Sequence, residues 1–160
     1  MATTQIIAEP GSQQIEILTE FDAPRALLFR AHTDPQLLVQ WLGPREYTMT
    51  IDHLNVRDGG TYRYIHEDAD GNEFGGHGVF HGTPSVDGIV QTFEYEGMPG
   101  RVALEKATFE EQGGKTILRQ VAVYQSVEDR DAMIDSGMER GVRDSMDRLE
   151  ALLRQLAPVS

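Results

Sequence analysis

The sequence predicts an α+β fold in which a curved antiparallel sheet of six to seven strands wraps around a long C-terminal helix. Three observations predict it. From Glu128 to Leu156, apolar residues recur at helical spacing, with Met138, Val142, Met146, Leu149, Leu153 and Leu156 on one stripe and Met133 and Leu152 widening it. Between Tyr47 and Gln125, short alternating segments are cut by turn residues such as Asp58-Gly59-Gly60, Asp70-Gly71-Asn72 and Gly113-Gly114. Between these two regions the breaks stay too short for crossover connections, so the strands form a meander. A helix roughly 40 Å long with a single apolar face must lie across something, and the strands are the one surface on offer.

Taken in order, residues 1–12 are polar with Pro10-Gly11 and are expected to be a flexible leader. Residues 13–157 are expected to form one domain, with no repeat or linker dividing them. Ile15, Ile17, Thr19 and Phe21 alternate as a first strand. Asp22 and Pro24 start a short helix carrying Leu27, Leu28 and Ala31. Asp34-Pro35 repeats that signal for a second helix with Leu37, Leu38, Trp41 and Leu42, stopped at Gly43-Pro44. Six further strands are expected at Tyr47–Val56, Thr61–Glu67, Glu73–Thr83, Ile89–Glu96, Val102–Glu111 and Thr116–Gln125.

Composition removes several functional classes. The chain of 160 residues has no cysteine, so disulfides, thiolate catalysis and sulfur-ligated zinc are excluded. A formal charge of −12 with no clustered Lys/Arg run argues against nucleic acid or an anionic membrane surface as partner. No apolar run is long enough for membrane insertion, and no signal peptide is visible, so a cytoplasmic location is expected. The serines lack a nucleophile elbow, and Gly59-Gly60 and Gly75-Gly76 lack the spacing of a phosphate loop.

A curved sheet closing on one helix separates the two layers faster than side chains fill the space, so a cavity is expected between them. The methionines at 133, 138 and 146 and the glycines at 137 and 141 suit an irregular lining, a bend or a close approach. The lining expected from strand and helix positions is Trp41, Tyr62, Tyr64, His66, Phe80, Phe93, Arg119, Tyr124, Met138 and Val142. It suits an aromatic or lipid-like ligand. Core packing explains the same aromatic residues without a ligand, and Trp41 reads more naturally as an anchor for the second helix. For acid–base chemistry the strand candidates are His66, Glu94, Glu105 and Arg119, with exposed strand charge the simpler reading of the two glutamates. His66, His77 and His81 invite a zinc site, but four residues along a strand span about 13 Å, too far to share an ion without a bulge. No metal site and no cofactor is expected.

The segments Phe21-Asp22-Ala23-Pro24, Thr33-Asp34-Pro35 through Gln40-Trp41-Leu42-Gly43-Pro44, and Val56-Arg57-Asp58-Gly59-Gly60-Thr61-Tyr62-Arg63 resemble the family of activators of the heat-shock-protein-90 ATPase. So do Asp70-Gly71-Asn72-Glu73, Gly113-Gly114-Lys115-Thr116 and Gly137-Met138-Glu139-Arg140-Gly141. The resemblance runs from about Ile15 to Leu156 and implies a START-like, helix-grip fold, shared with lipid-transfer domains, pollen allergens and polyketide cyclases. Relatives commonly carry Trp after the last helix glycine, where this chain has Val142. Three functions follow as expectations: a small-molecule binder, an enzyme of cyclase or dehydratase type in the same cavity, or a protein-interaction domain. The resemblance implies a chaperone partner only weakly, because the eukaryotic co-chaperone uses an extra N-terminal domain for which this chain leaves no room. Aromatic strand residues leave a homodimer open. Shared fold is not shared function.

Overall fold

The computed structural model describes residues 2–157; Met1 of the expected leader lies outside the described residues. Eight strands form one antiparallel sheet in the order β1-β2-β8-β7-β6-β5-β4-β3. These are β1 (Thr3–Ile7), β2 (Gln14–Phe21), β3 (Thr48–Leu54), β4 (Thr61–Glu67), β5 (Glu73–Val79), β6 (Ile89–Tyr95), β7 (Val102–Gln112) and β8 (Lys115–Val123). Helices α1 (Arg25–Thr33) and α2 (Pro35–Leu38) follow β2, and α3 (Val127–Asp135) and α4 (Met138–Leu156) close the chain. The first and last long strands, β2 and β8, lie side by side, so the sheet curls around the helix that follows β8.

Two expectations are corrected. Thr3–Ile7, expected to be loose, pairs with β2 from Thr3↔Glu20 to Ile7↔Glu16. Its threonines and isoleucines are good strand formers, and pairing covers what would otherwise be the open edge of β2. Arg130, 2% exposed, holds the turn between these strands by donating to the carbonyls of Glu9 and Gln14 at 2.9 and 3.2 Å.

The single long helix expected over Glu128–Leu156 is two. Ser126 caps α3 by accepting from the Asp129 amide, and the break falls at Gly137, with φ 85° and ψ 23°. That left-handed backbone is cheap only for glycine. Gly137→Ala should therefore cost about 1–2 kcal/mol, seen as a lowered denaturation midpoint. An unchanged midpoint would show that the break relaxes into continuous helix.

The core lies between α4 and the concave face of the sheet. Met146, Leu149, Leu152 and Leu153 of α4 meet Tyr62, Phe80, Phe109 and Leu118 from the strands, with Leu28, Ala31 and Trp41 of the α1–α2 region. Each of these is almost fully buried.

Candidate functional site

The register lays residues of the inner face in rows across the strands. One row runs Ile15–Ala122–Glu105–Gln91 across β2, β8, β7 and β6, and the next runs Ile17–Gln120–Ala107–Ile89. Ile15 is buried, so its row faces the helix, and Glu105 faces inward with it. This overturns the simpler sequence reading of Glu105 as exposed strand charge. Alternation alone could not assign the face; the pairing with Ala122 and Gln91 does.

Glu105 belongs to a connected polar group. One oxygen of its carboxyl accepts from the Gln91 side-chain amide at 3.2 Å, and the same amide nitrogen donates to the Tyr62 hydroxyl at 3.0 Å. Tyr62 in turn donates to the Thr92 carbonyl at 2.5 Å. Gly78 makes that reach available: a Cβ there would lie 1.9 Å from the Thr92 oxygen and 2.7 Å from the Tyr62 hydroxyl. The Tyr62 ring also packs on Tyr64 and Phe80, with centroids 4.8 and 5.3 Å away.

Burial pushes the Glu105 carboxyl up to about 7, against a smaller lowering by the Gln91 hydrogen bond. Burial, with the nearby Glu105 charge adding to it, raises the hydroxyls of Tyr62, Tyr64 and Tyr124, the last to about 12. All three phenols therefore stay protonated at neutral pH, and the group can donate and accept hydrogen bonds or hold a proton near pH 7.

The helix–sheet layer is not equally closed along its length. Thr19, Leu118 and Phe109 are sealed, whereas the inward-facing Gln91, Phe93, Glu105, Gln120, Ala122 and Tyr124 are only half-buried. Met138 and Val142, in the first turns of α4, are half-buried too. Exposure along the helix–sheet layer therefore rises toward the α3–α4 junction, where the helix breaks. Two surface concavities lie elsewhere: about 370 Å³ beside Arg63, Phe74, Tyr95 and Glu96, and about 570 Å³ beside Ile134, Gly137, Arg140 and Arg143.

The structure sorts the expected lining residues. Tyr62, Tyr64, Phe93 and Tyr124 gather around Glu105 and Gln91, and Phe80 packs beneath them. His66 sits on the inner face of β4 but faces the Leu42 carbonyl at 3.2 Å, under Gly43. There burial lowers its pKa, and the charge of Arg148, whose guanidinium donates to the Gly43 carbonyl at 3.0 Å, lowers it further. Trp41 anchors α2, donating from Nε1 to the Ala31 carbonyl at 3.0 Å. Arg119 does not face the groove. It follows the buried Leu118 in β8, points to the outer face and pairs with Glu16 and with Glu110, the latter at 3.3 Å.

The histidines do not converge. His77 lies on the outer face, with Nδ1 2.9 Å from Glu96 and Nε2 3.6 Å from Glu94, while Arg63 grips Glu96 with two donors at 2.8 and 2.9 Å. These hydrogen bonds, Arg63 first, hold the Glu96 carboxyl down at about 2. Among the described residues no group of three or more His, Asp or Glu is placed to hold a metal ion. No helix of the described residues is long and apolar enough to cross a membrane.

A curved antiparallel sheet gripping a C-terminal helix defines a START-like, helix-grip domain. The sequence model of one family matches residues 22–154, and the chain belongs to that family, the Activator of Hsp90 ATPase homolog 1-like proteins. Solved structures of similar fold include a Rhodobacter sphaeroides protein, 26% identical over 96% of this chain and 99% of its own, with a TM-score of 0.87. Another is the protein Ms6760 of Mycobacterium smegmatis, 23% identical over 96% and 97%, with a TM-score of 0.85. A third, from Arthrobacter aurescens, is 22% identical over 94% and 91%, with a TM-score of 0.86. No curated protein matches the chain.

Proposed function

We propose that this chain binds a small, mainly apolar or aromatic molecule carrying one polar group, in the groove between α4 and the sheet. One observation carries the reading: a connected Glu105–Gln91–Tyr62 group stands on the inner face where the layer is only half closed. A half-buried carboxyl whose hydrogen-bond partner is a single neutral amide is only partly compensated for lost water, and a ligand offering a second partner would offset the cost. Phe93, Tyr64 and Tyr124 supply aromatic surface around it.

An acid–base role in the same groove is the second reading, supported by a Glu105 carboxyl that titrates near 7. Activation of a chaperone ATPase, which the family description names, would rest on the outer face instead, where Leu104, Ile117 and Val123 are exposed.

Native mass spectrometry of the protein purified from its own host tests the reading. A stoichiometric small-molecule adduct, released on denaturation, is expected. Val142→Trp, which adds a large ring to the half-buried helix stripe, should abolish that adduct while the protein still folds. A bare native mass, together with no stabilising compound in a thermal-shift screen of lipids and aromatics, would overturn the proposal and favour the outer face.

A further inference from the structure

The charge of the groove narrows what it would take. We infer that its ligand is an amphipathic organic amine, protonated in solution, whose ammonium group pairs with Glu105 while its apolar body lies along the inner face of β6–β8. The inference rests on the groove being a binding site and adds the chemical class of the occupant.

Three observations support it. First, Glu105 is an inward-facing acid with no ion pair among the described residues. Neither inner row beside Glu105 contains Lys or Arg, and its charge raises the hydroxyls of three neutral tyrosines, Tyr62, Tyr64 and Tyr124. Gln91, a neutral donor, is its hydrogen-bond partner.

Second, the cations that could have balanced it are committed elsewhere. Arg119 is on the outer face with Glu16 and Glu110, Arg130 holds the carbonyls of Glu9 and Gln14, and Arg148 holds that of Gly43. A fatty acid or other carboxylate would enter with no positive partner and a like charge opposite it. The chain's formal charge of −12 repels anions and draws cations toward any opening.

Third, Tyr62, Tyr64 and Tyr124 stand near enough to Glu105 to feel its charge, and an ammonium group over an aromatic face gains about 0.5–2 kcal/mol as desolvation increases.

The proton balance follows. Burial holds the carboxyl up near 7, so below that pH an arriving ammonium must expel a proton from Glu105 to form the pair. Affinity should therefore rise with pH up to about 7 and level off above it.

Isothermal titration calorimetry with three probes of one shape, 4-phenylbutylamine, 4-phenylbutanol and 4-phenylbutyrate, tests this at pH 7.5 and pH 5.5. At pH 7.5 the amine should bind tightest, by about tenfold or more over the carboxylate, a gap of about 1.4 kcal/mol. At pH 5.5 its affinity should fall by about tenfold or more, with proton release revealed by an enthalpy that varies with the buffer's heat of ionisation. In Glu105→Gln the amine-to-alcohol ratio should collapse toward one. The wild-type series stands as a test even if that variant folds poorly. Equal or tighter binding of the butyrate would overturn the charge assignment and leave the groove reading intact. An amine preference unmoved by pH and by the substitution would remove Glu105 as its partner. Absence of binding by all three probes would overturn both readings.

Discussion

Trp41→Ala should destabilise the protein by about 3–5 kcal/mol, the range for deleting a large buried ring. Trp41 is 2% exposed and belongs to the main core. Its Nε1 donates to the Ala31 carbonyl at 3.0 Å, and its ring meets that of His32 edge-on at a centroid distance of 4.8 Å. The substitution removes the ring from between α1 and α2 and leaves a cavity that the surrounding helices can close only in part. Against a typical domain stability of about 5–15 kcal/mol, that is a large fraction. Circular dichroism during urea denaturation is the suitable readout, because the variant also loses the chain's one tryptophan fluorophore. Trp41→Phe should cost clearly less, since it keeps an aromatic ring. A loss below about 1 kcal/mol for the alanine variant would contradict the anchoring role, since burial alone predicts more.

Stability in Glu105→Gln should rise by about 3 kcal/mol from pH 4 to pH 6.5, whereas the wild type should be nearly flat between pH 4.5 and 6.5. Two groups with displaced pKa values, one buried and one half-buried, produce this difference. The first is His32, whose Nδ1 faces the Leu28 carbonyl at 2.7 Å, while Nε2 is a buried atom with no partner. Burial lowers its pKa from 6.5 to about 4, against the raising effect of that hydrogen bond. The folded state then binds fewer protons than the unfolded chain between those values, so stability is lost as pH falls through them.

Glu105 runs the other way. Its carboxyl is raised from 4.5 to about 7, so the folded state binds more protons in that window and stability is lost as pH rises. Each displacement is worth about 3 kcal/mol at full expression. Over the shared window the two slopes oppose and cancel. Replacing Glu105 with an uncharged side chain of similar size leaves the His32 slope uncovered. Denaturation midpoints at half-unit steps of pH would show it. A wild type that rises with pH as steeply as the variant would mean that Glu105 ionises as an ordinary exposed carboxylate and would remove it as the acid of the proposed site.

How much of this was legible in the sequence depends on which spacing carried the signal. Turn glycines and alternation placed β2 to β8, and the helical stripe from Met138 to Leu156 identified α4. Asp34 was read as a cap from its place before Pro35, and it does accept from the Gln36 amide at 2.9 Å. The N-terminal strand was missed because Thr3–Ile7 is short, sits before Pro10-Gly11 and becomes a strand only by pairing with β2. The break at Gly137 was visible as a residue, but not as a left-handed one.

The site was half legible. Tyr62, Tyr64 and Phe93, expected along the lining, share the inner face of the sheet, where Tyr62 packs on Tyr64 at a centroid distance of 4.8 Å. Glu105, which gives that group its chemistry, has exposed strand charge as its simpler reading in the sequence, because each strand offers two faces. Arg119, expected in the lining, lies on the outer face with Glu16 and Glu110. A shift of one residue exchanges the faces, and sequence periodicity fixes that choice only where large apolar side chains mark one side. On β7, Leu104 and Glu105 stand side by side, and it is the leucine that lies outside, 50% exposed.

The sequence by itself determined the order of elements, the amphipathic helix, the absence of thiol chemistry and the family, because periodicity, turn residues and composition are local properties of the chain. Only the tertiary structure decided which face of each strand meets the helix, which charged groups are paired on the outer surface, and which acid is left alone inside. Those outcomes depend on the register between strands distant in sequence and on removal from water, and neither is written at any single position.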